Sequence, residues 1–287
     1  MRSKIPPARK VTTMPRSDYL TYGGNRGAAG LRAADTQAWL ESQGFDRGEL
    51  RAARQAVGAL QVAEFTFDAI GGRYCDFCFV LIMGGEYEQL NDGRERCTRC
   101  SKTVLSTEEQ FVEEFAKVRS NMEVAFSVTL NAPTIVKMVN AREIARRTGE
   151  TFTATPGVDP RVLGFALKTG NGHELFLENG APRLAAITTM AHELTHIWQY
   201  GNWDEGAITK AYGAGNRLAV YEGMATWTQV QYLIFTRDFD YAQRQHAYAL
   251  MREDEYGVGY RVFLDRYPLS LDGDPGKESP FHHDLPL

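Results

Sequence analysis

All four cysteines of the chain fall in one window, as Cys75-Asp76-Phe77-Cys78 and Cys97-Thr98-Arg99-Cys100, and no other feature narrows the possible folds so far. The 18 residues from Phe79 to Arg96 separate the pairs, which is within the range of a four-thiolate zinc site. Four thiolates fill a tetrahedral ion and leave no place for water, so this ion would hold a small module together and do no chemistry. Two disulfides are the alternative, but they require an oxidising compartment. The start of the chain, MRSKIPPARKVTTMPRSDYL, is basic and lacks the apolar block of a secretory signal, so a cytoplasmic protein with reduced thiols is expected.

The pattern on either side divides the 287 residues. Residues 1–30, with Pro6, Pro7, Pro15 and a cluster of glycines, read as a mobile arm, and residues 31–70 as an N-terminal helical region. Residues 71–105 form the cysteine module, with turn signals at Gly84-Gly85 and Asn91-Asp92-Gly93. In residues 106–270, Ser106 with Glu109 has the pattern of a capping box ahead of Phe111, Phe115, Val118 and Met122. PTIVKMV then reads as a buried strand, Asn140 with Glu143 as the start of a short helix, and VLGFALKTGNGHELFLENG as a hairpin turning at Asn171-Gly172. Pro182 opens a helix that ends near Gly201, and another spans about Asn216 to Phe235. Residues 271–287 are polar and read as a weakly ordered tail. The expected class is α+β.

The second motif lies on a helix, in MAHELTHIWQY, Met190 to Tyr200. Residues four apart on a helix share a face, so His192 and His196 can bind one metal ion. Glu193 is rotated about 100° from His192, too far to ligate but placed to take a proton from water bound there. A zinc ion lowers the pKa of its water towards about 7, and the carboxylate would pass that proton to the leaving amine. A third ligand must come from elsewhere. Glu222, in VYEGMATW, is the candidate, with Thr226 one turn on as a hydrogen-bond partner. Gly172-His173-Glu174-Leu175 repeats half of the motif, but it has no second histidine and lies at a hairpin. The bland alternative is two neutral core histidines.

Composition excludes other classes. The net charge of −4 and pI near 5.9 disfavour a nucleic-acid partner. Within the module, Arg73, Arg94, Arg96, Arg99 and Lys102 are matched by Asp76, Glu86, Glu88, Asp92 and Glu95. No apolar run reaches the roughly 18 residues of a membrane span.

A four-cysteine module, then strands, a hairpin, NGAPRLAAITTMAHELTHIWQ and a VYEGMA helix together resemble the LIM-associated, ubiquitin-activated peptidases known as the DA-one family. The resemblance runs from about Arg73 to Phe235, and its most specific part is Gly180-Ala181-Pro182-Arg183, the motif core and Glu222-Gly223. It implies a zincin-like domain of gluzincin type behind a LIM-like or zinc-ribbon module. It also implies one catalytic zinc on His192, His196 and Glu222 with Glu193 as general base, and one structural zinc on Cys75, Cys78, Cys97 and Cys100. The implied activity is endopeptidase action on protein substrates, ubiquitin-pathway components among them. A full LIM domain holds two zinc ions, whereas one four-cysteine set exists here, and Glu113 stands where a ubiquitin-interacting helix needs an apolar residue.

In such peptidases a strand edge pairs with the substrate backbone, a role expected of Glu174 to Glu178. Tyr212, Tyr221, His246 and Tyr248 are candidates by position to stabilise the oxyanion. Two rival functions stay open: a catalytically silent zinc-binding adaptor, and a non-peptidase zinc amide hydrolase.

Overall fold

The computed structural model describes residues 73–82, 87–148 and 163–283. The expected arm, the N-terminal helices and the Gly84-Gly85 turn lie outside the described residues. The rest is a mixed α+β fold with eight helices.

The cysteine module is built from two short antiparallel strands, β1 (Tyr87–Gln89) and β2 (Glu95–Cys97), and a single helical turn, α1 (Thr98–Ser101). Gly93, at φ 90°, supplies the left-handed residue of the turn between the strands. The loop carrying the first cysteine pair closes on itself, with Cys75 N–H donating to the Val80 carbonyl at 2.9 Å and Phe79 N–H to the Cys75 carbonyl at 2.9 Å. The module is joined to the rest along Thr103–Leu105, which pairs with the lead-in to the motif helix: Leu105 N–H donates to Ala181 O at 3.0 Å and Arg183 N–H to Thr103 O at 2.7 Å. Beside this seam, the buried Arg94 guanidinium is shared by Asp92 and Glu178. Burial works against its charge, and the two carboxylates more than offset that.

Helix α2 (Glu108–Ala125) begins at a capping box one residue later than expected. Thr107, not Ser106, is the cap, and Gln110, not Glu109, reaches back to it. Strand β3 (Thr134–Val139) and helix α3 (Ala141–Thr148) follow, with Asn140 Oδ1 accepting from Glu143 N–H at 2.9 Å. Strands β4 (Gly164–Thr169) and β5 (Gly172–Glu178) form the expected hairpin, but Thr169 pairs with Gly172, so Gly170-Asn171 makes the turn. The sheet order is β3-β5-β4, with β3 parallel and β4 antiparallel to β5. Residues Glu174 to Glu178 are therefore paired on both sides and offer no edge. The edge on the hairpin side belongs to β4.

The sheet and α2 both pack on helix α4 (Arg183–Asn202), which runs through Gly201. Helix α5 (Glu205–Tyr212) leads into α6 (Arg217–Phe235), which lies against α4; α7 (Phe239–Met251) and α8 (Glu255–Arg266) complete the bundle. Helices α6 and α8 cross in backbone contact: a Cβ at Gly223 would sit 2.4 Å from the Gly259 carbonyl carbon, so only glycine fits. One continuous apolar cluster joins Phe77 and the cysteines to Phe111, Leu175, Ile187, Trp227 and Tyr260. The tail is packed as far as His283, contrary to expectation. Gln231 holds Ser270 with two 2.8 Å bonds, Phe281 is buried beside Trp198 and Phe126, and the His282 ring donates to the Phe126 carbonyl at 2.7 Å. Among the described residues, no helix is long and apolar enough to cross a membrane.

Candidate metal centres

Helix α4 is buried on nearly all sides, so its polar side chains must find partners within the protein. Thr188 and Thr195 do so by donating to the carbonyls of Leu184 and Ala191 one turn back, at 2.7 and 2.8 Å. The histidines turn to each other and to α6: His192 Nε2 is 3.0 Å from His196 Nε2 and 3.0 Å from Glu222 Oε2, and His196 Nε2 is 3.4 Å from that same oxygen.

Two glutamines decide what this cluster can hold. Gln199 Nε2 donates to the Tyr221 carbonyl at 3.1 Å, which can only accept, so its Oε1 faces His196 Nδ1 at 2.8 Å and that nitrogen carries the hydrogen. Gln229 Oε1 faces His192 Nδ1 at 3.1 Å. Both rings thus turn Nε2 towards a carboxylate at one point, an arrangement that either a shared proton or a metal ion satisfies. Ligand atoms about 2.1 Å from a tetrahedral ion lie about 3.4 Å from one another, so the observed separations fit a first-row metal.

The charges agree. Burial would raise the Glu222 pKa, but the two imidazoles hold it well below the carboxylate range. Burial disfavours the charged His196 ring, yet Glu222 lifts its pKa to about 9. Glu193 is buried, and desolvation raises its pKa against the pull of both rings. Its Oε2 accepts from Ala166 N–H of β4 at 2.9 Å, so the outer edge of that strand runs beside the Glu193 carboxylate.

In the module, the sulfurs of Cys75, Cys78, Cys97 and Cys100 converge, and all are buried. Cys78 and Cys97 Sγ are 3.7 Å apart, far beyond a disulfide at about 2.05 Å and close to the roughly 3.8 Å expected of thiolates on a tetrahedral ion. Hydrogen bonding from Cys100 and Cys78 pulls Cys75 down, while Cys75 and Cys78 push Cys100 upward, so Cys75 and Cys100 do not both ionise without a neighbouring cation. Both groups could hold metal ions.

The remaining expectations divide. Thr226 Oγ1 is buried with no hydrogen-bond partner among the described residues, so it does not support Glu222. His246 Nδ1 is 2.5 Å from the Tyr260 hydroxyl, Tyr248 stacks on Phe79 of the module, Tyr221 packs on Trp203, and Tyr212 lies by Tyr267. Two other tyrosines border the cluster. The Tyr256 ring lies 5.9 Å from the His192 ring and that of Tyr200 lies 6.3 Å from His196. The charge of Glu222, with burial, keeps the Tyr256 hydroxyl protonated, and burial with Glu193 does the same for Tyr200. The signals that could have found these residues are spacing: Gln229 follows Glu222 by two helical turns, Gln199 follows His196 by three residues, and Tyr256 lies three residues before Gly259, which meets Gly223 at the helix crossing.

No family model, curated protein or solved structure matches this chain.

Proposed function

We propose that the chain is a zinc-dependent endopeptidase of the gluzincin type, the activity implied by its resemblance to the DA-one peptidases. The observation that carries the reading is the meeting of His192 Nε2, His196 Nε2 and Glu222 Oε2 within 3.4 Å, with the Glu193 carboxylate alongside and the β4 backbone touching it. A zinc ion held there would supply Lewis acidity, making water acidic enough to lose a proton near neutral pH. The chain's residues do the rest. Glu193, its pKa raised by burial, accepts that proton and returns it to the leaving amine. Tyr256, protonated beside Glu222 and stacked near the His192 ring, is the proposed donor to negative charge on the attacked carbonyl oxygen.

The outer edge of β4 supports a polypeptide substrate. Ala166 turns its N–H away from β5 towards Glu193, so the alternating groups of Gly164 and Lys168 face the same side. An extended chain added there would bring a peptide bond past the base. The cytoplasm and ubiquitin-pathway proteins are the proposed setting and substrates.

The test compares wild type with Glu193→Gln by terminal proteomics of treated lysates. New termini should appear with wild type only, while both proteins retain two zinc ions per chain. Equal cleavage by the variant would remove Glu193 as base, and cleavage by neither protein would favour an adaptor.

A further inference from the structure

The loop bearing the first cysteine pair is gripped by α7. Tyr241 donates its hydroxyl hydrogen to the Phe77 carbonyl at 2.8 Å, Arg244 Nε donates to the Cys78 carbonyl at 2.6 Å, and Tyr248 stacks on Phe79 with ring centroids 4.6 Å apart. From Tyr241 a line of hydrogen bonds continues inward. Gln245 Nε2 donates to the Tyr241 oxygen at 2.9 Å, Gln229 Nε2 to Gln245 Oε1 at 3.4 Å, and Gln229 Oε1 faces His192 Nδ1 at 3.1 Å. The line thus joins a backbone carbonyl between two thiolates to a ligand of the other centre.

Its direction follows from one end. A carbonyl can only accept, so Tyr241 spends its single hydrogen on Phe77, and its oxygen can only accept from Gln245. The Gln245 amide is then turned with Oε1 towards Gln229, whose own Oε1 must face His192. That oxygen requires a hydrogen on Nδ1, which leaves the Nε2 lone pair for the metal. Tyr241 is fully buried, and desolvation keeps its hydroxyl protonated and able to donate.

We propose that the cysteine module acts on the second centre through this line: Tyr241, Gln245 and Gln229 are positioning residues by which the Phe77 carbonyl sets the tautomer and aim of His192. This rests on the metal-site reading above. A module that serves only as a brace through its apolar contacts would have no need of an unbroken, one-directional line.

The experiment is cobalt(II) titration of the full chain, in wild type, Tyr241→Phe, Gln229→Leu and the double variant. Thiolate charge-transfer bands report the cysteine centre, and weaker ligand-field bands report the histidine centre. Gln229→Leu should weaken cobalt at the histidine centre about 10- to 100-fold, the usual effect of removing a ligand's hydrogen-bond partner. Tyr241→Phe should weaken it about 3- to 10-fold and shift its ligand-field bands while the thiolate bands stay unchanged, and should add nothing in the Gln229→Leu background. Unchanged histidine-centre binding in Tyr241→Phe, or an equal loss in both backgrounds, would overturn the coupling. Loss of the thiolate bands in Tyr241→Phe would also overturn it, since the variant would then act by unfolding the module. A wild type with thiolate bands alone would instead sink the metal-site reading itself.

Discussion

Tyr256 lies nearly parallel to the His192 ring, at 25°, with its hydroxyl held protonated by the neighbouring Glu222 charge and by burial. Substituting Tyr256→Phe removes that hydrogen and little else. On a peptide identified by terminal proteomics, kcat is expected to fall about 100-fold with KM and zinc content unchanged, the loss typical of one oxyanion donor. An unchanged kcat would assign the ring to packing alone. His246 offers a separate pH test. Burial lowers its pKa from 6.5 to about 4. The unfolded chain therefore binds a proton that the folded chain refuses, and stability present above pH 6.5 is lost as the pH falls towards 4. The gap in unfolding free energy between wild type and His246→Gln should narrow by roughly 3 kcal/mol from pH 7 to pH 4, measured by urea titration. A constant gap would show that His246 charges freely in the folded protein.

Helix α4, α6 and the β4–β5 hairpin were legible because their signals are local: apolar recurrence at three and four residues, Pro182 at a start, and Gly170-Asn171-Gly172 at a reversal. The approach of His192 to His196 was legible for the same reason, since i,i+4 histidines share a face in any helix. What escaped was set by distant pairing. The assignment of β5 as an edge failed because β3, from a remote segment, occupies its other side. Tyr256 escaped because its approach to His192 depends on Gly223 and Gly259 letting α6 and α8 touch. The tail reads as polar, yet the single buried Gln231 and the Phe281 ring anchor it. At this scale Gly223→Ala is the telling change: its methyl meets the backbone of α8 and should cost about 3 kcal/mol by chemical denaturation, with loss of activity from the Tyr256 side. Near-neutral stability would mean that the helices part easily.

Across the molecule, the cysteine module is a wing of the same core: one seam binds it to the start of α4, and α7 grips its first loop. Metal removal by a thiol-competing chelator should therefore lower the temperature of a single cooperative calorimetric transition, and two separate transitions would show independent domains. The central claim, that His192, His196 and Glu222 share a metal, is most directly tested by crystallography of the purified protein at the zinc absorption edge. The anomalous map should show one peak among the four sulfurs and a second within about 2.1 Å of His192 Nε2, His196 Nε2 and a Glu222 oxygen. A peak at the sulfurs alone, with Glu222 turned away from the rings, would contradict the account.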